Sequence, residues 1–166
     1  MLVASTQNPD SFNIIAEGLD RSYYSLFRSG DTTQYAGNTG IGQVSVANPN
    51  LDGSGTLTNI LTSDSVLGDG FGCSIKSITI KGIGKESTEG MIRIFIGDGK
   101  EEETLYLFLE VPIIYITPNG TTQSILRQIN IQTSFSFQAG YNIYVSTENE
   151  ENFSIMADAN DWTYFA

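Results

Sequence analysis

The side chains that could perform chemistry in this chain are almost all carboxylates. The 166 residues include 19 Asp and Glu side chains, a single Cys and no His. Without His the chain lacks the commonest general base and the commonest ligand of transition metals. Ser-His-Asp and Cys-His catalysis are excluded, and one Cys does not make a zinc site. Any reaction would therefore depend on carboxylates acting together.

Two groups of carboxylates are close enough in sequence to be considered. The first is Glu101–Glu103, with Asp98 nearby, and the second is Asp158 with Asp161. Paired carboxylates hydrolyse glycosides, and carboxylate oxygens are ligands for Ca²⁺. The glutamates occupy a predicted turn tip, where solvated charge is the simpler interpretation, and neither group has EF-hand spacing. We therefore expect a protein that is not an enzyme and that needs no cofactor or metal.

Aromatic residues near the end of the sequence suggest carbohydrate binding as an alternative. Tyr141, Tyr144, Trp162 and Tyr164 lie within a short stretch. Exposed aromatic rings on a sheet can stack on the apolar face of a sugar. The simpler interpretation is core packing for Tyr141 and interface packing for Trp162.

The charge of the chain restricts its partners. The formal net charge is −11, and residues 84–166 carry 12 of the 19 acidic side chains. Phosphate backbones and anionic membranes attract clustered Lys and Arg, so neither nucleic acid nor a membrane surface is an expected partner. The longest apolar runs are too short to predict a membrane helix. Residues 1–7 lack the features of a secretory signal, which predicts synthesis in a cytoplasm.

From Gly42 onwards, short apolar segments alternate with polar or glycine-rich turns. The clearest segment is Gly90–Gly99, in which Ile92, Ile94 and Ile96 share one face while Arg93 lies on the other. This alternation is typical of a strand. A change of phase between Ile75 and Ile78 predicts a bulge. The predicted strands are residues 43–47, 56–62, 74–83, 90–99, 104–111, 124–132, 141–146 and 153–157.

Eight short strands without helical periodicity predict an all-β fold. Long connections between several of them suit a jelly roll better than a meander of hairpins. We therefore predict an antiparallel eight-stranded jelly-roll sandwich over residues 42–166. Pro112 is expected to end the pairing of its strand, and residues 135–140 to form a connector. The lone Cys73 is expected to be buried and inert.

Residues 1–41 are predicted to form an extended N-terminal arm. Phe12, Ile14, Tyr23 and Phe27 make this segment too apolar for a free linker. They should pack either on the domain itself or on a neighbouring subunit, and the sequence leaves both options open.

Arg93 is the one charged residue in the middle of the best predicted strand. One interpretation is a partly exposed side chain whose stem covers Met91 and Phe95. The other is an ion pair with a neighbouring subunit, since a charged residue is seldom buried unless it is paired.

Five segments, taken in order and spacing, resemble a known group of proteins. They are residues 52–56, 73–82, 91–99, 107–113 and 139–147, and the resemblance spans residues 42–165. The group consists of small jelly-roll virion proteins of tailed bacteriophages that coat or decorate capsids. The connection at residues 63–72 is longer than the pattern of that group, and the first 40 residues lie outside it.

The resemblance implies a non-enzymatic structural protein located in the virion. Its partners would be the major capsid protein and other virion proteins, and a homo-oligomer is a further expectation. A carbohydrate-binding or fibre module that attaches to the host is the alternative. The residues predicted to bind a partner are Phe12, Ile14, Tyr23, Phe27, Arg93 and Trp162.

Overall fold

The computed structural model describes residues 32–63, 70–83, 88–115 and 128–165, with the backbone alone for residues 32–38, 70–71 and 161–165. These residues form eight strands and no helix. Accordingly, no helix in this part of the chain is long and apolar enough to cross a membrane. The strands are β1 (Thr32–Val44), β2 (Thr58–Thr62), β3 (Gly70–Gly82), β4 (Gly90–Gly97), β5 (Leu105–Ile113), β6 (Gln128–Gln138), β7 (Asn142–Thr147) and β8 (Phe153–Phe165).

The strands form two antiparallel sheets of four. The first has the order β1-β8-β3-β6 and the second the order β2-β7-β4-β5. Within these sheets, β1 pairs with β8, β2 with β7, β3 with β6, and β4 with β5. The chain is thus a long antiparallel ribbon folded back between β4 and β5 and rolled into a sandwich. This arrangement is the jelly roll that the sequence predicted.

The hydrophobic core lies between the two sheets. Alternate residues of β3, β4 and β8 point inward, so Ile78, Ile94 and Ile155 are all fully buried. The β-branched isoleucines suit this position because they lose little side-chain freedom on a pleated surface. Cys73 is buried in the same core, as the sequence predicted.

The sandwich is closed on the side where β1 lies against β2. Gly40 and Gly42 of β1 face inward there, beside Ile60. A Cβ atom at Gly42 would lie 2.5 Å from Cγ2 of Ile60, and one at Gly40 would overlap the carbonyl oxygen of Ile60. The hydroxyl of Thr58 donates to the carbonyl of Gln43 at 3.1 Å and links the two sheets. Close approach of the two strands therefore requires glycine at both positions.

Several local predictions are confirmed. The pairing of β3 with both neighbours shifts between Ile75 and Ser77, where the sequence predicts a bulge. Ile92, Ile94 and Ile96 are all buried in the core.

Other boundaries differ from the prediction. β1 begins at Thr32, so it crosses the predicted boundary between residues 41 and 42. β6 continues to Gln138 through the segment expected to be a connector, and β8 extends to Phe165. Residues 1–31 lie outside the described part of the chain, including Phe12, Ile14, Tyr23 and Phe27.

The expectation that Pro112 ends the pairing of its strand is wrong. Pro112 lies within β5, opposite Met91 of β4. β5 is an edge strand, and an edge tolerates proline because one side of the strand needs no N–H donor. A register shift opposite Ile94 and Phe95 also changes the side-chain phase of β5. Leu109 consequently packs against the core together with Phe108, its neighbour in sequence.

Candidate functional site around Arg93

The loops at one end of the sandwich meet around Arg93. In this topology every odd-numbered strand finishes at this end of the sandwich, and every even-numbered strand starts there. The described residues that directly follow β1, β3, β5 and β7 therefore lie at this end. The described parts of the connections after β1, β3 and β7 are joined by hydrogen bonds.

Arg93 lies on the face of β4 that points away from the core. Its strand neighbours are Glu110 on β5 and Ser146 on β7. Its Nε donates to Oε1 of Glu110 at 2.9 Å, and its Nη2 lies 3.5 Å from Oε1 of Glu148. Nη1 also donates to the carbonyl oxygen of Asn48 at 3.5 Å. One guanidinium therefore connects β5, the loop after β7 and the loop after β1.

Burial makes this network unusual for an outward-facing residue. Only 6% of the Arg93 side chain is exposed, against 41% for Glu110 and 35% for Glu148. The charge of Arg93 is thus removed from water and compensated by two carboxylates that remain partly hydrated. The interpretation of Arg93 as a partly exposed residue is wrong, and the carboxylates that pair with it belong to its own chain.

Asn48 holds the loop after β1 against the second sheet. Its backbone N–H donates to the carbonyl of Thr147 at 2.7 Å. Its side-chain Nδ2 donates to the carbonyls of Ser54 and Thr56, each at 2.9 Å. A Cβ atom at Gly53, whose φ is +80°, would overlap the side chain of Leu105 on β5. The loop therefore lies across the outer face of the sheet.

This loop explains why the outer face of β4 is not exposed. Phe95 is fully buried, yet it does not belong to the core cluster between the sheets. It shares the outward face with Arg93, two residues away on the same strand. The loop after β1 thus covers the outer face of the second sheet, and Phe95 is the apolar residue on that face.

A second set of hydrogen bonds joins the loops after β3 and β7. The N–H and the hydroxyl of Thr88 both donate to the carboxylate of Glu151. The side-chain Nδ2 of Asn149 donates to the carbonyl of Glu89 at 2.8 Å and to the Thr88 hydroxyl at 2.9 Å. Since Glu148 in the same loop pairs with Arg93, the two sets of contacts are continuous.

Glu103 forms a separate polar cluster near the opposite end of the second sheet. Its carboxylate accepts hydrogen bonds from Nδ2 of Asn142 and from the hydroxyl of Tyr144, each at 2.7 Å. Burial, followed by the hydrogen bond and charge of Glu103, raises the pKa of Tyr144 to about 12. Glu101 and Glu102 are exposed, as expected of a turn tip, whereas Glu103 is partly buried. Glu103 is therefore bound by its own chain.

Of the other predicted carboxylates, the side chains of Asp98 and Asp158 are described, whereas that of Asp161 lies outside the described part of the chain. Asp98 accepts hydrogen bonds from Nζ of Lys100 at 2.5 Å and from the N–H of Thr104 at 3.0 Å, which holds the β4–β5 turn. The hydrogen bond from Lys100 lowers the pKa of Asp98. Asp158 is exposed on β8. Among the described residues, no three acidic, His or Cys side chains are grouped so as to hold a metal ion.

The aromatic residues considered for sugar stacking are divided between the sheets. Tyr141 packs against Phe137, with ring centroids 6.0 Å apart, and contacts the core. Tyr144 belongs to β7 in the second sheet, where it binds Glu103. Trp162 and Tyr164 lie on β8 in the first sheet, and their side chains are outside the described part of the chain. The predicted core role of Tyr141 is confirmed.

The comparisons with known proteins give weak similarity to solved structures. No protein-family model matches the chain, and no curated protein matches it. Among solved structures, the chain is similar to the cryo-EM structure of the virus-like particle of extra small virus from the giant freshwater prawn Macrobrachium rosenbergii. The match covers 97% of this chain and 94% of that chain, with 9% identity and a TM-score of 0.24. At this TM-score the similarity carries no inference about function.

Proposed function

We propose that the chain is a non-enzymatic structural protein of a tailed-bacteriophage virion. In this proposal it is an auxiliary or decoration protein attached to the major capsid protein. The observation that carries the proposal is the strand order β1-β8-β3-β6 and β2-β7-β4-β5. That order defines a jelly roll, a fold that builds many capsid proteins but also lectins and cupins. The ordered segments that resemble phage virion proteins favour the virion over these alternatives.

The use of charged side chains is consistent with a structural role. Arg93, Glu103 and Asp98 each bind groups of their own chain at turns or loop junctions. These contacts fix the loops of the sandwich, so the charged side chains have a structural use. The alternative of a glycan-binding platform has less support, because Tyr141 and Tyr144 are occupied by packing and by Glu103.

Residues 1–31 are the proposed attachment segment. They precede β1 and carry the apolar residues Phe12, Ile14, Tyr23 and Phe27. An extended segment can add to an exposed sheet edge on a partner through main-chain hydrogen bonds. Repeated contacts across a capsid lattice would strengthen such binding without a large interface on each copy.

Co-sedimentation with capsids tests this proposal. The full chain should sediment with capsids that lack it, and a variant without residues 1–31 should remain in the supernatant. The deletion stops before Thr32, so that β1 and the first sheet stay complete. As a control, the shortened chain should keep the thermal unfolding midpoint of the full chain. Failure of the full chain to sediment would contradict the capsid role, whereas equal sedimentation of both chains would contradict only the attachment role of residues 1–31.

A further inference from the structure

The four edge strands of the sandwich are protected to different degrees. β1 and β2 lie against one another at the side closed by Gly40 and Gly42. β5 carries Pro112 and the charged Glu110, which are features that discourage pairing with another chain. β6 extends over 11 residues, Gln128–Gln138, without a charged residue or a proline. Among the described residues, β3 is its only strand partner. Within the described part of the chain, β6 is therefore the least protected edge.

The charge around β6 is opposite to that of the whole protein. Neither β6 nor its neighbour β3 contains Asp or Glu, and their charged residues are Lys76 and Lys81. The chain as a whole has a net charge of −11. Two copies would repel each other over most of their surfaces, because like charges disfavour close approach. Along β6 this repulsion is weakest, which favours a second copy as the occupant of this edge.

The side chains of β6 are suited to contact with an identical strand. Gln128, Asn130 and Gln132 are exposed on the outward face. Nε2 of Gln132 donates to Oδ1 of Asn130 at 2.5 Å, and Nδ2 of Asn130 donates to the hydroxyl of Thr79 at 2.9 Å. Amides both donate and accept, so the same row can pair with itself. On the inner face, alternate apolar residues of β6 pack against the core but are only partly buried, namely Ile129, Ile131 and Phe135.

We propose that β6 pairs antiparallel with β6 of a second copy, giving a two-fold symmetric dimer with a continuous eight-stranded sheet. A two-fold axis places the same strand on both sides of the interface, which is the commonest symmetry of soluble oligomers. The pairing satisfies the outer backbone groups of β6 and covers its partly buried apolar residues. This dimer does not depend on the proposed virion role, because it concerns the purified chain alone.

A cysteine scan along β6 tests the geometry. Gln128, Asn130, Gln132, Ser134 and Ser136 would each be replaced by Cys, and disulfide-linked dimers would be measured after mild oxidation. In antiparallel pairing only residues near the two-fold axis meet their own copy, so cross-linking should peak at one position. The unchanged chain is the control, since its only cysteine, Cys73, is buried. Equal cross-linking at all five positions, or none at any, would overturn the proposal.

Added charge tests whether this edge drives association. In the variant N130E/Q132E, like charges face each other across the dimer. The dissociation constant of the dimer, measured by sedimentation equilibrium, should therefore rise about tenfold or more. Because both positions are exposed, its thermal midpoint should stay close to that of the native chain. The control T39E/Q43E adds the same charge at exposed positions of β1 and should leave the dimer unchanged. A native chain that is monomeric at all concentrations, or an equal effect of both variants, would contradict the proposal.

Discussion

Replacing Gly40 with valine should prevent the chain from folding stably. The Cβ atom of the new residue would overlap the carbonyl oxygen of Ile60 and lie 2.8 Å from Cβ of Leu61. Neither group can move alone, because Ile60 and Leu61 belong to β2 and are buried in the core. Relief requires β1 and β2 to separate, which would open the closed side of the sandwich. Overpacking of a core costs about 1–3 kcal/mol, and a clash with backbone lies at the upper end of that range.

The matched control for this change is Thr39→Val. Thr39 is the preceding residue of β1, and its side chain is exposed. The same valine there meets solvent and suits a strand, so the free energy of unfolding should stay within about 0.5 kcal/mol of the native value. Urea unfolding followed by circular dichroism measures both variants. If Gly40→Val proved as stable as Thr39→Val, the close contact between β1 and β2 would be wrong.

Replacing Arg93 with alanine should destabilise the isolated chain by about 3 kcal/mol. The cost has two sources, the space left by a covered side chain and the loss of the donor to three acceptors. Because Glu110 and Glu148 are partly hydrated, the expected loss lies at the lower end of the range for breaking a buried ion pair. Here the groups left behind are the carboxylates of Glu110 and Glu148 and the carbonyl of Asn48. The lost side chain also joined three segments of the chain, so two of the loops should become more mobile. Hydrogen exchange should therefore increase at Asn48 and Glu148 before it increases in the core.

Two variants separate the charge of Arg93 from other effects. Arg93→Met keeps most of the side-chain volume and should lose less stability than Arg93→Ala, because it fills the buried space. Like Arg93→Ala, it leaves Glu110 and Glu148 without their cationic partner. Lys100→Ala removes the exposed partner of Asp98, whose own side chain is covered. It should cost less stability than Arg93→Ala, because the N–H of Thr104 still donates to that carboxylate and Lys100 itself fills no buried space. An Arg93→Ala chain that folds with native stability and fails only in assembly would instead place the partner of Arg93 on another subunit.

The sequence predicts the class of fold because hydrophobic periodicity is a local property. The alternation of Ile92, Ile94 and Ile96 is visible without knowledge of any neighbour, and the bulge near Lys76 follows from a phase change within one strand. The start of β1 could not be found in this way. Its glycines resemble a turn in the sequence. The structure shows that glycine is needed at residues 40 and 42 because β2 lies against them.

The candidate site is harder to predict than the fold, for a physical reason. The sequence indicates that Arg93 is unusual, but its partners Asn48, Glu110 and Glu148 come from three separate connections or strands. The position of Glu110 could have been found from the hairpin of β4 and β5, where it lies opposite Arg93. Asn48 and Glu148 are brought to Arg93 by loop conformations, for which the sequence carries no periodic signal.

Quantitative mass spectrometry of purified phage particles is the most direct test of the proposed virion role. The measurement compares the copy number of this chain with that of the major capsid protein in the same particles. The proposal predicts that the chain is present in a fixed, high ratio to the major capsid protein, because a decoration protein follows the capsid lattice. A few copies in each particle would indicate a tail or fibre component, and absence of the chain from the particles would contradict the virion role itself.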